Sequence, residues 1–566
     1  MKIENVKIYG FRNFYEADIN FSKKTLIIGS NDIGKTNLIY AIRLLLDKSL
    51  SDRDIEPSEM DFHIDEHGNQ SEEISITIKF SEIKEDAALS ILKENVSDSE
   101  ESYFVYKAYR NSLDYEIFVG STTEKLELKI SRFYLKHINL KYIQSSRNLK
   151  SFIDKEKKSL LKSAQIARTD TEKEYDERIS KKISIGLENI NKRVRMLNYV
   201  KDATQSVNNE LTNISHHNSE YSVHLDSGAI KVNQFIDNLE LGAKVSGSNL
   251  MLGGDGRNNQ ILLSLWKAKS EREIIPEHEV VFYCIEEPEA HLHPHQQRKL
   301  ASYLSESLIG QSIITSHSPQ IASKFSPNSI INLIPSNKGT IAANKGCSEL
   351  IKDAYLDMGY RMSIIPAEAF FAKCVLLVEG PSEVLFYNSL ASKIGIDLDF
   401  CNISILSVDG IQFAVYTKVL NAMGIKWVLR TDNDISKVPY KEEMSLAGIN
   451  RCMSIICFPP YGNVAINTTH QEVINNGTWK MASDKLQSYG IFLSKIDLEN
   501  DLYSELKSDL DSFAVSVGSD NIVSYLQSKK ALRMTEFLTK DDIDFNSIRT
   551  KDIVKPLLYA EKLARN

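Results

Sequence analysis

The chain has 566 residues, of which 25% are charged and 42% hydrophobic, with a formal net charge of −8. That balance excludes an intrinsically disordered chain, a collagen-like fibre and a disulfide scaffold. It also excludes a histone-like basic protein while leaving room for a local basic groove, and the length predicts roughly two to five domains.

The 13 prolines are unevenly placed: Pro57 alone precedes residue 276, and residues 58 to 275 hold none. Proline removes a donor and clashes with the preceding turn, so this tract permits long helices, although strands can also occupy it. The six cysteines (Cys284, Cys347, Cys374, Cys401, Cys452, Cys457) form no C-x-x-C pair. This predicts a reduced, cytoplasmic protein without a cysteine zinc site. No apolar run reaches the roughly 18 residues of a membrane span, and the first residues lack the apolar region of a signal peptide, so no membrane association is expected.

Taken in order, MKIENVKIYGFRNF alternates as a strand does, and Thr25–Ile28 predicts another. Gly29-Ser-Asn31-Asp-Ile-Gly34-Lys35-Thr36 then fits G-x-x-x-x-G-K-[ST], with an amphipathic helix, NLIYAIRLLL, beginning at Asn37. In such a loop backbone N–H groups and a helix N-terminus face phosphate. Lys35 is placed to reach the β- and γ-phosphates and Thr36 to ligate Mg²⁺. Asn31 and Asn37 complete the expected nucleotide-binding set on this side. Ile74, Ile76, Ile78 and Phe80 alternate with polar residues and predict a half-buried strand.

From about 148 to 238 the chain becomes rich in Lys, Glu, Asp and Asn, with Leu160, Leu161, Ala164 and Ala167 at helical spacing. This predicts an inserted helical arm with solvated faces, serving either solubility alone or dimerisation or DNA contact. Val280–Ile285 is a continuous apolar run, as in a buried parallel strand, and ends in Glu286-Glu287-Pro288-Glu289. Glu286 and Glu287 there suit Mg²⁺ binding and orientation of an attacking water. His291, His293 and His295 alternate but read as a helix entry rather than a metal cluster, whereas His317, in the strand-to-turn segment Ile313-Ile-Thr-Ser-His317-Ser318-Pro319, suits a γ-phosphate sensor.

In that order FRNF, the phosphate loop, IEEPEAHLHP and TSHSP resemble the RecF/SMC-type ABC ATPases. The resemblance implies paired heads that sandwich ATP between one phosphate loop and the partner's signature segment. Leu252-Gly253-Gly254-Asp255-Gly256-Arg257 is the best signature candidate but lacks the usual serine, and Glu286 stands where many such proteins have Asp. Both departures imply slow hydrolysis or a role for binding over turnover.

Beyond a turn-rich stretch (IPSNKGTIAANKG) and a boundary placed at 345–370, near Pro366, a second α/β region begins. Val375–Val378 leads to Glu379-Gly-Pro-Ser-Glu383, and Trp427–Arg430 leads to Thr431-Asp432-Asn-Asp434. Acidic groups just beyond parallel strands lie where open α/β sheets place their sites. Glu379, Glu383, Asp432 and Asp434 together suit one or two Mg²⁺ (or Mn²⁺) ions, which can clamp an in-line phosphodiester displacement. This ordered pair of motifs resembles the Toprim domain of topoisomerases, primases and the OLD (overcoming lysogenization defect) nucleases, and an ABC ATPase followed by Toprim is the OLD architecture.

VEGPSEVLFY, RTDNDI, INRC, KIDLENDLYS and YLQSKK further resemble the nuclease subunits of Gabija anti-phage systems. On that resemblance Glu499 and Asp501 add metal ligands and Lys530 stabilises charge on the scissile phosphate. SVDG departs from the family pattern, with Asp409 replacing a glycine. The organisation expected is an α/β ABC ATPase head (1–147 and 241–345) interrupted by a helical dimerisation arm (148–240), a linker (346–370), and a Toprim domain with a helical tail (371–566). The function expected is an ATP-regulated, Mg²⁺-dependent DNA endonuclease in antiviral defence, with Glu379, Asp432 and Asp434 at its centre. The resemblance also implies self-association as a homodimer or homotetramer, and a UvrD-like helicase partner. Alternatives are a RecF-like ATP-dependent DNA-binding clamp or loader with a vestigial acidic site, a Toprim nuclease acting on RNA, and a topoisomerase-like strand transferase.

Overall fold

The computed structural model describes residues 1–143, 149–214, 223, 232–237, 239, 242–245, 248–251, 261, 264–265, 279–290, 292–308, 310–348, 367–408, 410, 412–540 and 543–565. The signature candidate at 252–257, His291, Pro366, Asp409 and most of the expected linker lie outside them. The described chain divides into two units, one of residues 1–144, 277–289 and 293–566, the other of residues 145–276 and 290–292.

The first unit is built on a twelve-stranded sheet. Its outer part is antiparallel: Leu126–Leu128, Tyr115–Gly120, Ser102–Tyr109, Glu73–Ser81, Lys2–Phe11, Phe14–Asn20 and Gly339–Ala342 lie side by side. Alternation dictates this half, since Ile74, Ile76, Ile78 and Phe80 are all essentially inaccessible. The remaining strands, Ile330–Ser336, Lys24–Ile28, Ser312–Thr315, Val280–Glu286 and Ile138–Ile143, run parallel in that order. Their near-continuous apolar sequences match burial on both faces. The helix Lys35–Leu46 covers them with Leu38, Ile39, Ile42 and Leu45. Because Ile27 pairs with Thr315 and Glu286 with Thr315, the phosphate loop, the acidic pair and the TSHSP turn emerge at one sheet edge.

The same unit contains a four-stranded parallel sheet in the order Ile403–Ser407, Cys374–Val378, Lys426–Thr431, Ile491–Leu493. The helix Pro381–Ile394 and the C-terminal helix Lys555–Arg565 belong to its core, with Phe386, Tyr387, Leu390 and Leu557 fully buried. Short helices between 498 and 538 form the tail and pack on one another, and the last of them, Lys530–Leu538, packs onto Pro381–Ile394. Two amides join this sheet to the head. Asn332 Nδ2 donates to Met423 O at 2.8 Å, and Asn344 Nδ2 donates to Ala422 O at 2.7 Å.

The second unit holds the long helices that the proline-free tract permits: Leu149–Ile166, the 26-residue Asp170–Arg195, and Asn198–Ile214. Thr169 and Glu172 cap the longest reciprocally. Among the described side chains of the first helix Ile153 and Lys157 are buried, while Leu161, and Ala167 just beyond its end, face solvent, unlike the expected seam.

Candidate functional sites

At the head site, the hairpin turn of Phe11–Phe14 fixes the phosphate loop. Asn13 Nδ2 donates to Ile33 O and to Thr340 Oγ1 (2.8 Å), Asn37 Nδ2 donates to Asn13 Oδ1 (2.8 Å), and Arg12 Nη1 donates to Asn37 Oδ1 (2.8 Å). Gly34 must be glycine twice over, because its φ is +104° and a Cβ there would lie 1.9 Å from Asn13 Nδ2. Lys35 Nζ donates to Gly29 O (3.0 Å) and Ser30 O (2.7 Å), folded over the loop's own carbonyls. Burial lowers its pKa, and Glu287, Asp32 and Glu286 oppose that shift. Thr36 and Asn31 are exposed.

Across the edge, Tyr142 OH donates to Glu286 Oε2, and the Arg43 guanidinium lies 3.6 Å from the Tyr142 ring centroid. Glu286 Oε1 is buried without a hydrogen-bond partner. His317 Nε2 stands 3.5 Å from Glu287 Oε1. Burial and then Lys35 lower the His317 pKa, keeping the ring neutral near pH 7. Glu289 plays a different part: its Oε1 accepts from Ser316 Oγ and from the His317 N–H, both at 2.7 Å, and so fixes the turn that carries His317. His293 precedes the helix Pro294–Ser302, and its N–H donates to Gln296 Oε1 at 3.2 Å, while His295 Nδ1 pairs with Arg298.

The Toprim-like site gathers at the ends of three adjacent parallel strands. Glu379 Oε1 accepts from the Asp432 N–H (2.8 Å), from the Thr431 hydroxyl and from Arg451 Nη2 (3.0 Å). Arg451 Nη1 donates to Asp434 Oδ2 at 3.0 Å. Beneath them Arg430, almost wholly buried, lies 3.8 Å from Asp432 Oδ1 and 3.1 Å from Asp501 Oδ2. Asp501 Oδ1 also accepts from the Lys495 N–H at 3.2 Å, so this expected metal ligand is engaged on both oxygens.

Burial dominates the electrostatics here. It pushes the Asp432 carboxyl up to about 8, with Glu379 and Glu383 adding to the rise and Arg430 and Lys530 opposing it. Glu383, Glu499 and Asp501 are raised for the same reason. Lys530 faces this group: burial alone would lower it, but Glu499, Asp432 and Glu383 raise it, holding the ammonium charged. The site therefore brings together Glu379, Glu383, Asp432, Asp434, Glu499 and Lys530.

Arg430, Thr431, Gly448 and Arg451 were not anticipated as functional, although INRC spans Arg451 and RTDNDI opens on Arg430. The helix Ala447–Ile455 explains two of them. Gly448 N–H donates to Asp434 O at 2.9 Å, and Arg451 follows one turn later on the same helix.

The donor chemistry fits a hard divalent cation at both places. Glu286 Oε1 and Glu499 Oε2 are buried carboxylate oxygens without hydrogen bonds, and unpaired buried anionic oxygens are costly unless a cation meets them. Among the described residues no three His, Cys, Asp or Glu side chains form a ready cage.

Comparison with known proteins agrees with both halves. The family described as AAA ATPase domain matches residues 1–322, and the family described as overcoming lysogenization defect protein-like, TOPRIM domain, matches 370–434. The chain is 27% identical to endonuclease GajA of Bacillus cereus strain VD045, over 98% of this chain and 96% of that protein. It is 26% identical to the Old nuclease of Escherichia phage P2, over 83% of this chain and 84% of that protein. Among solved structures, an SMC head bound to the C-terminal winged-helix domain of ScpA covers 60% of this chain and 97% of its own at 17% identity, with a TM-score of 0.40. The chain thus belongs to the AAA ATPase domain family, and its residues 370–434 match the OLD-like TOPRIM domain.

Proposed function

We propose that the protein is an ATP-regulated, metal-dependent DNA endonuclease acting in anti-phage defence in the cytoplasm. The observation that carries this reading is the convergence of Glu379, Asp432 and Asp434 on one hydrogen-bonded net at adjacent strand ends, with Lys530 facing them. Glu379, Asp432 and Asp434, with Glu383 and Glu499 behind, would hold Mg²⁺ or Mn²⁺, which would supply charge stabilisation to an in-line phosphodiester displacement. Thr431 orients Glu379 through its hydroxyl. Lys530 offers a fixed positive charge to the scissile phosphate. Asp501 serves by holding Arg430 under Asp432.

In the head, Lys35 would hold the β- and γ-phosphates of ATP, Thr36 and Glu286 would hold its Mg²⁺, and Glu287 would orient the attacking water beside His317. The arm carries exposed Ile166, Tyr175, Ile185, Ile190, Met196 and Tyr199. So many apolar side chains facing water support self-association. The resemblance to Gabija nuclease subunits implies a UvrD-like helicase as a second partner. The test is Mg²⁺-dependent nicking of plasmid DNA, with Asp432→Ala as control. Metal-dependent nicking lost in the variant is expected. No nicking, with ATP-dependent DNA binding intact, would replace the nuclease by a DNA-binding machine.

A further inference from the structure

We propose that Arg451 is a positioning residue that competes with the divalent cation for Glu379 and Asp434, so that metal binds only when the guanidinium swings away. The inference rests on the nuclease reading of this site. Its geometry is a fork across two carboxylates: Nη2 to Glu379 Oε1 and Nη1 to Asp434 Oδ2, each at 3.0 Å. Nη2 also donates to Thr431 Oγ1 at 2.6 Å and to Asp432 O at 3.2 Å. Glu379 Oε1 therefore already accepts from Arg451, the Asp432 amide and the Thr431 hydroxyl. An oxygen so engaged has little lone-pair capacity left for a cation. A planar two-pronged donor matches carboxylates separated in this way, which a lysine's point charge does not.

One further observation separates a displaceable arm from a structural strut: its partner Asp434 is 48% exposed, so the outer prong lies at the mouth of the site, where leaving exchanges one ion pair for water. The inner end is fixed, since the helix start at Gly448 is bonded to Asp434 O; movement is confined to the side chain.

The charges favour exchange. Glu379, Glu383, Asp432, Asp434, Glu499 and Asp501 meet Arg430, Arg451 and Lys530 at this site, with Asp497 and Lys495 at its margin. Arg430 is locked below and Lys530 is held by Glu499, Asp432 and Glu383, which leaves Arg451 as the cation a divalent ion replaces. Once displaced, its guanidinium is free to take a phosphate oxygen of the incoming strand.

The experiment measures Mn²⁺ binding to the full-length protein by electron paramagnetic resonance. The Toprim-site ions are identified as those lost in Asp432→Asn. Arg451→Gln is expected to bind them on the order of tenfold more tightly, as removal of one nearby positive charge predicts. The Mn²⁺ concentration for half-maximal nicking should fall by the same factor. Arg451→Lys, which keeps the charge but loses the fork, is expected to lie between Arg451→Gln and wild type, and stands in for Arg451→Gln if that variant does not fold. Unchanged or weaker binding in these variants overturns the inference, because a purely structural arginine would lower metal affinity when removed. Absence of any Asp432-dependent Mn²⁺ in the wild-type protein would instead overturn the nuclease reading beneath it.

Discussion

Gly448→Ala tests whether the carboxylate loop works at fixed sub-ångström placement. Gly448 begins the helix that backs Asp432–Asp434, and a Cβ built there lies 2.5 Å from Asp432 O, 2.6 Å from Asp434 N and 2.8 Å from Asn433 Cα. All three are backbone atoms, so no side chain can turn aside. Ordinary contact begins at 3.4 Å, and the loop or the helix must therefore retreat by nearly 1 Å. Overpacking of this kind costs about 1–3 kcal/mol in stability. The functional effect is larger, because a misplacement of about 1 Å can cost about 10²-fold in rate. The assay is the initial rate of Mg²⁺-dependent plasmid nicking, with the urea midpoint measured beside it. Gly462→Ala, whose added Cβ would meet nothing within 4 Å, is the control and should nick as wild type does. Nicking by Gly448→Ala within a factor of about three of wild type would refute the claim that this backbone approach sets the site.

Asn13→Ala removes the bonds to Ile33 O, Thr340 and Asn37, about 2 kcal/mol of loop anchoring. ATP affinity should fall on the order of tenfold with nucleotide-independent DNA binding unchanged; equal ATP affinity by calorimetry would count against the anchoring role. Asp432, raised to about 8 from 3.8, holds its proton in the folded protein where the unfolded chain has lost it. The folded state thus binds more protons between about pH 4 and 8, and this group's contribution to stability declines as pH rises through that window. Asp432→Asn should therefore flatten the fall in urea midpoint between pH 5 and 8, and parallel profiles would refute the assignment. Asn332→Ala removes the amide that donates to Met423 O, at about 1 kcal/mol. The ratio of nicking rates with and without ATP should move toward one, whereas an unchanged ratio would exclude this contact from the coupling.

Both sites were legible because their acidic and phosphate-binding residues directly follow apolar strands: Glu286 after Val280–Ile285, Glu379 after Cys374–Val378, Asp432 after Lys426–Thr431. Local order in the chain records that placement. The residues that tune the sites come from distant segments and leave no local trace. Tyr142 reaches Glu286 across 144 positions and Arg451 reaches Glu379 across 72, and only folding makes either pair neighbours. Asp501 shows the converse: the family resemblance implies a metal ligand there, and the fold sets its Oδ2 3.1 Å from the buried Arg430 guanidinium, a contact that the local sequence does not announce. The link between the halves was equally hidden. Ile28, at the end of the strand that enters the phosphate loop, pairs with Asn332, and Asn332 holds the carbonyl of Met423, just before the strand that delivers Asp432. One strand pairing and one side-chain hydrogen bond thus connect the end of the phosphate-loop strand to the approach to the carboxylates. The two sheets therefore share a contact between Ile330–Ser336, the neighbour of the phosphate-loop strand, and the turn that leads into Lys426–Thr431, and it is this contact that Asn332→Ala removes.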